Sequence, residues 1–148
     1  AGCFWGVELT FQKTAGVTST SVGYTGGTSK NPTYEQVCTG SSGHAEVVRV
    51  EFDPAIVSYE QLLDVLWGCH DPTTLNRQGP DMGTQYRSAI YFHSPEQKAF
   101  AQASKDNIDK SGRFSSAVVT EITSAPEYYL AEDYHQQYLE KRGMGSCH

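Results

Sequence analysis

The sequence predicts an α+β domain, an α/β sandwich of ferredoxin-like character with a mixed sheet, flanking helices and long loops. Two observations predict it. Apolar residues recur with helical and strand periods in turn along the chain, in the order helix, strand, strand, helix, strand, helix, strand, with a short closing helix. The chain also has 148 residues and no internal repeat or low-complexity tract. That length suffices for one core but not two, because a domain of this size buries about 70% of the surface its unfolded chain exposes. A single domain over residues 1–148 is therefore expected, with 142–148 as a flexible C-terminal tail.

The first helix is expected over about residues 6–15, because Phe4, Val7 and Phe11 fall at i, i+3 and i+7 and Gly16 is a natural stop. Residues 17–24 read as a strand ended by Gly26-Gly27. Residues 46–52 read as a strand closed by Asp53-Pro54. A helix over 59–67 follows, with Ser58 and Gln61 as a capping box and Tyr59, Leu62, Leu63 and Leu66 as its apolar stripe. Residues 71–84 show no periodicity, and loops of that length are often functional. A strand over 86–92 leads to a helix opened by Ser94-Pro95 and Gln97, which runs to about Lys110 and stops at Gly112. A strand over 117–122 and a helix over 132–141, with Tyr134 and Tyr138 four apart, complete the pattern.

Composition excludes several classes of function. The formal charge of -6 argues against a nucleic-acid partner, whose affinity comes from lysine and arginine on phosphates. No apolar run approaches the roughly 20 residues of a membrane span. No signal or transit segment is visible, and a working thiol favours a reducing interior, so a cytoplasmic location is expected, with an organellar form as the alternative. The four cysteines, Cys3, Cys38, Cys69 and Cys147, are too widely spaced and too few for a disulfide framework.

Cys3 lies in Gly2-Cys3-Phe4-Trp5-Gly6, ahead of a helix. A helix N-terminus carries partial positive charge and unsatisfied N–H groups, which favour the nucleophilic thiolate. The glycines allow close approach and the aromatics point to an apolar pocket wall. A buried structural cysteine is the alternative. Glu46 shares a strand face with Val48, Val50 and Phe52. It is either a desolvated carboxyl suited to general acid catalysis or a solvated one past the sheet edge. Asp81, Tyr86 and Arg87 lie in or just after the long loop and can supply hydrogen bonds near a pocket, although Tyr86 also fits an ordinary strand aromatic. Cys147, in a glycine-rich tail, is either a resolving thiol or an incidental terminal one. Cys38 and Cys69 flank predicted elements and are expected to be inert core thiols. Cys69-His70 and Cys147-His148 raise the question of zinc, but paired ligand spacings are lacking, so no metal is expected.

The same residues carry a family resemblance. The run Ala1-Gly2-Cys3-Phe4-Trp5-Gly6-Val7-Glu8 resembles the signature of the A-type peptide methionine sulfoxide reductases. Gly23-Tyr24 with Gly26-Gly27, Asn31-Pro32-Thr33-Tyr34-Glu35, and Gly43-His44-Ala45-Glu46-Val47-Val48 resemble its next blocks. Asp71-Pro72-Thr73-Thr74, Asn76-Arg77-Gln78-Gly79, and Asp81 with Gly83-Thr84-Gln85-Tyr86-Arg87 come next in the family's order, and Ala131-Glu132-Asp133-Tyr134-His135-Gln136-Gln137-Tyr138-Leu139 closes it.

The resemblance implies that Cys3 attacks the sulfoxide sulfur. It also implies that Glu46 protonates the oxygen with help from Tyr34 and Tyr86, that Phe4 and Trp5 hold the substrate methyl group, and that Asp81 binds a polar group or water. The implied products are methionine and a Cys3 sulfenic acid. A second cysteine, Cys147 here, would then form a disulfide that thioredoxin, or dithiothreitol in vitro, reduces. The implied substrate is the S epimer of methionine sulfoxide, free or in oxidised proteins and peptides. The implied role is protein repair by a monomer with no metal, organic cofactor, nucleic acid or membrane. Members of the family usually carry a strand ahead of the cysteine motif, so a segment before Ala1 is expected. The run Gly143-Met144-Gly145-Ser146-Cys147 departs from one common form of the resolving segment and leaves a further recycling cysteine open.

Two other functions fit parts of the pattern. A papain-like hydrolase would pair Cys3 with a histidine such as His135, oriented by Asn or Asp. A zinc protein or binding module would use the cysteines as ligands or leave them unreactive.

Overall fold

Phe4–Gln12 forms the first helix, α1, in the computed structural model, which describes residues 1–39, 42–79 and 81–141. The helix starts and stops earlier than predicted. Lys13 closes it onto Leu9, Thr14 turns back onto Phe11, and Gly16, at φ 94°, belongs to the turn into the next strand. Phe4, Val7 and Phe11 are buried on one face, as their spacing requires. Strand β1 is Val17–Thr25. Helix α2, Tyr34–Cys38, was not predicted. It is capped by Thr33 and Gln36 in the same reciprocal arrangement that Ser58 and Gln61 make at α3, Tyr59–Cys69. Strand β2, Ala45–Phe52, lies between these helices in the chain.

The segment 71–84 is less irregular than predicted. It carries the short strands β3, Arg77–Gln78, and β4, Asp81–Met82, paired antiparallel. Asp71 anchors it. Its carboxylate accepts from Thr73 N–H and Oγ1 at 2.9 and 2.6 Å, and Gln78 bonds its backbone on both sides. Tyr86 closes a 3₁₀ turn, Thr84–Tyr86, so β5 spans Ala89–Phe92 and starts later than predicted. Helix α4 is Pro95–Lys110. Strand β6 is Glu121–Ser124, displaced from the predicted 117–122. The cause is local. The N–H of Val118 goes to Asp109 Oδ1 at 3.0 Å and that of Val119 to the Pro72 carbonyl at 2.8 Å, so neither is left for a ladder. Strand β7, Tyr129–Leu130, precedes a 3₁₀ turn, Asp133–His135, and a last helical turn, α5, Tyr138–Lys141. The predicted helix over 132–141 is thus broken, at Gln137, whose φ is 50°.

The α+β class holds, but the strands do not join in one sheet among the described residues. β2, β1 and β7 form an antiparallel sheet in that order, whereas β5 and β6 pair in parallel. An apolar cleft of about 370 Å³ is lined by residues of both β2 and β5. Gly2, Phe4 and Glu46 line it, but Cys3, Trp5, Tyr34, Asp81 and Tyr86 do not. Phe4, Val22, Tyr24, Val37 and Ala131 form the core cluster under the cysteine motif. Burying a side chain the size of Val or Phe stabilises by roughly 1.5–3 kcal/mol, so this cluster fixes the start of α1 against β1 and α2.

His70 anchors the end of α3. Its Nδ1–H donates to the Leu66 carbonyl at 2.7 Å, so Nε2 accepts from Ser88 Oγ at 2.7 Å. Burial lowers its pKa from the ordinary 6.5 to about 4. The unfolded chain therefore takes up this proton first as pH falls from 6.5 to 4, and stability drops by about 3 kcal/mol over that window. Urea unfolding of His70→Gln and the native protein at pH 7 and pH 4 checks this. The variant should lose less stability on acidification by about that amount, and equal losses would assign the acid sensitivity to other groups.

Candidate active site

Cys3 is the N-cap residue of α1, half-buried, with φ −60° and ψ 120°. Its carbonyl accepts the first helical bond, from Val7 N–H at 3.5 Å. Gly2, at φ 92°, turns the chain into the helix, and a Cβ there would sit 3.0 Å from the Gln78 side chain. The first free N–H of α1 finds a side-chain partner across the domain. Phe4 N–H donates to Glu46 Oε1 at 3.3 Å. Glu46 is the second residue of β2, opposite Tyr24 of β1, and is 2% exposed. It is therefore a buried carboxyl at the helix start rather than a solvated one past the sheet edge.

Two phenols face this carboxyl. Tyr34 opens α2, and its own N–H is held by Glu132 Oε2 at 3.2 Å. Burial first, then its hydrogen bond to Cys38, then the charge of Glu46 push its pKa well above the ordinary range. Tyr86 is pushed up too, by burial first and then by Glu46, with smaller contributions from Cys38, Asp81 and Cys3. Both phenols therefore keep their protons and can donate. The same influences bring Cys3, Glu46, Asp81 and Tyr86 into one neighbourhood. Gln85, buried, ties the turn that carries Tyr86 to the Cys38 carbonyl at 3.4 Å. Cys38 departs from expectation. It is exposed at the end of α2 and accepts the Tyr34 hydroxyl, so it is not a core thiol. Cys69 is half-buried, donates to the Leu66 carbonyl at 3.3 Å, and has a pKa raised by burial, all consistent with an inert thiol.

The other side of the motif is aromatic. Phe4, buried, lies 5.8 Å from Tyr24 and 6.4 Å from Tyr34. Trp5 is half-buried and stacks on Tyr138 at 3.8 Å, with the rings 11° from parallel. Its Nε1–H donates to His135 Nδ1 at 3.0 Å. His135 is 1% exposed and lies among Phe4, Trp5, Tyr34 and Tyr134, at ring distances of 5.3, 5.6, 4.5 and 4.0 Å. Burial lowers its pKa, Glu132 opposing, and Nδ1 accepts the indole N–H and so carries no proton, which makes the imidazole neutral. With Nδ1 accepting, the proton sits on Nε2, which is buried and has no hydrogen-bond partner among the described residues.

A half-buried cysteine at a helix start, a buried carboxyl bonded to the N–H of the next residue, two protonated phenols and an apolar aromatic wall form one constellation. Its order in sequence also matches a family. The family model for peptide methionine sulfoxide reductase matches residues 1–148. The chain belongs to the peptide methionine sulfoxide reductase family. A peptide methionine sulfoxide reductase of Methanosarcina mazei is 64% identical over 144 residues, covering 97% of this chain and 68% of the relative. The solved methionine sulfoxide reductase A of Corynebacterium diphtheriae is 44% identical, with a TM-score of 0.92 over 99% of this chain and 74% of that one. The reduced form of Mxr1 from Saccharomyces cerevisiae is 34% identical, also with a TM-score of 0.92, over 99% of this chain and 84% of that one.

Within this reductase family frame the rival functions lose their footing. A hydrolase needs a histidine oriented by Asn or Asp toward the cysteine, but His135 Nδ1 is taken by Trp5. No group of three or more metal-binding side chains occurs among the described residues, and no helix there is long and apolar enough to cross a membrane. Cys147 and the tail 142–148 lie outside the described residues. Two contributors were missed from sequence. Glu132 takes the N–H of Tyr34 and the hydroxyl of Tyr24, at 3.2 and 3.1 Å. His135 entered only as a hydrolase candidate. The Thr33–Gln36 capping box was the signal that placed Tyr34 at a helix start and was available in the sequence.

Proposed function

We propose that this chain reduces the S epimer of methionine sulfoxide, free or in oxidised proteins and peptides, with Cys3 as nucleophile and Glu46 as general acid. The Cys3 thiolate attacks the sulfoxide sulfur while Glu46 gives a proton to its oxygen, and the Tyr86 hydroxyl, joined by that of Tyr34 as it turns away from Cys38, holds that oxygen by donating to it. Phe4 and Trp5 bound the methyl group, and Asp81 holds a polar group or water beside Tyr86. The oxygen ends on Cys3, so methionine and a Cys3 sulfenic acid form. The substrate sulfur gains the two electrons that Cys3 loses. Cys147 then attacks the sulfenic acid, water leaves, and a Cys3–Cys147 disulfide remains for thioredoxin or dithiothreitol to reduce. No metal or organic cofactor takes part, and the protein acts as a monomer.

One observation carries this reading: the buried Glu46 carboxyl accepts at 3.3 Å the N–H of Phe4, the residue that follows Cys3. The test uses separated sulfoxide epimers, followed by mass spectrometry of Cys3. One epimer should be consumed, with one oxygen appearing on Cys3 when the second thiol is removed. Cys147→Ser should spare dithiothreitol-supported reduction and abolish turnover with thioredoxin. Thioredoxin turnover at the native rate would assign the resolving role to another thiol.

A further inference from the structure

Glu8 is a buried acid that the reaction does not use. It lies on α1, three residues past Trp5, and is 1% exposed. The ion pairs among the described residues are Arg49–Glu51 and Arg87–Glu121, so Glu8 has no cation there. A buried carboxylate without a cation needs polar donors in place of its lost water. The Thr20 hydroxyl and the Gln137 side-chain amide donate to Oε2 at 2.8 and 2.9 Å, and the Gln137 backbone N–H donates to Oε1 at 2.8 Å. The same amide also reaches the Thr20 carbonyl at 3.1 Å.

Gln137 is where the backbone turns left-handed, at φ 50°. A residue with a Cβ stays in that region where its surroundings enforce it. The turn separates the 3₁₀ turn ending at His135 from α5, which begins at Tyr138. Both rings then meet the same indole. His135 takes its edge, accepting Nε1–H at 3.0 Å, and Tyr138 takes its face at 3.8 Å. The adjacent Gln136 bonds the Val22 N–H and carbonyl, each at 2.9 Å, and so ties the segment to β1. Glu8, gripping Gln137 through both its backbone and its side chain, holds the left-handed turn between the two rings.

We propose that Glu8 is a positioning residue for the methyl pocket. By holding Gln137 left-handed it fixes His135 and Tyr138 against Trp5, and so sets how large an S-alkyl group the pocket admits. The inference rests on the assignment of Phe4 and Trp5 to the substrate methyl. Glu8 touches no reacting atom and acts through Gln137.

Glu8→Gln keeps the size of the side chain, but its NH₂ group faces the NH₂ of Gln137, and that grip is lost. Gln137→Gly removes the side-chain grip yet adopts the left-handed turn without strain. The experiment compares the native protein, both single variants and the double variant on methionine sulfoxide and ethionine sulfoxide with dithiothreitol. Alkylation of Cys3 by iodoacetamide reports separately on the nucleophile. The native protein should prefer the methyl sulfoxide by about tenfold or more, the scale of one methylene in an apolar pocket. Glu8→Gln should narrow that preference by about fivefold, with Cys3 alkylation within about twofold of native, and glycine at 137 should restore it. An unchanged preference in folded Glu8→Gln overturns the proposal, and so does a narrowed preference that glycine does not restore. If Glu8→Gln fails to fold, Gln137→Ala removes the side-chain grip and, unlike glycine, resists the left-handed turn, so it carries the same expectation. A native protein that reduces neither sulfoxide overturns the functional reading instead, so the two failures are distinct.

Discussion

Replacing Cys3 by serine is expected to lower dithiothreitol-supported reduction of methionine sulfoxide by at least about 10³-fold. The argument is chemical as well as positional. A serine hydroxyl is not ionised at neutral pH, so the helix N-terminus has no anion to favour there. Serine also cannot accept the substrate's oxygen as cysteine does, because the two electrons that reduce the sulfoxide come from the cysteine sulfur. Substrate binding should survive, since Phe4, Trp5, Tyr34 and Tyr86 remain. Calorimetric titration of Cys3→Ser with methionine sulfoxide, beside the activity assay, reads both properties. A variant keeping a tenth of the native rate would remove Cys3 from the mechanism and turn attention to Cys38, the other thiol near Tyr86.

How much of this was legible in the sequence depends on whether the deciding interaction is local. Helix α3 was legible because its cap, its stripe and its length are all written within eleven residues. The same local signature at Thr33 and Gln36 marks α2, but the helix is so short that no apolar period accompanies it. Non-local interactions decided the errors. β6 moved because Asp109 and Pro72 claim the N–H groups of Val118 and Val119. The last helix broke because Glu8, on α1, takes the N–H of Gln137. The site divides in the same way. Cys3, Phe4 and Trp5 share one motif, so the proposed nucleophile and the apolar wall could be read together. The burial of Glu46 depends on β1 pairing beside it and on α1 starting above it, and alternation along β2 could not decide between a solvated and a desolvated carboxyl. His135 was the least legible, because its neutral state and its Nε2 proton depend on one contact with Trp5, 130 residues earlier.

Glu46→Gln is expected to slow the chemical step by about 10²–10³-fold, or about 2.7–4 kcal/mol in transition-state stabilisation. The substitution isolates the proton. A glutamine oxygen can still accept the N–H of Phe4, so the start of α1 keeps its anchor, and the side chain keeps its volume in a site that is 2% exposed. What is lost is a group that can protonate the oxygen as the S–O bond breaks. In the proposed mechanism, ground-state binding of the sulfoxide rests on the Tyr34 and Tyr86 hydroxyls and the aromatic wall, which the amide does not disturb, so KM should change by less than about threefold. Steady-state rates can hide this effect if disulfide reduction limits turnover. The decisive measurement is therefore single-turnover formation of methionine by reduced protein with no added reductant, followed over time in both proteins. Glu46→Asp retains an acid, displaced by one methylene, and should fall between the two. An unaltered single-turnover rate in Glu46→Gln would remove Glu46 from proton transfer and leave the phenols of Tyr34 and Tyr86 as the donors that must supply it.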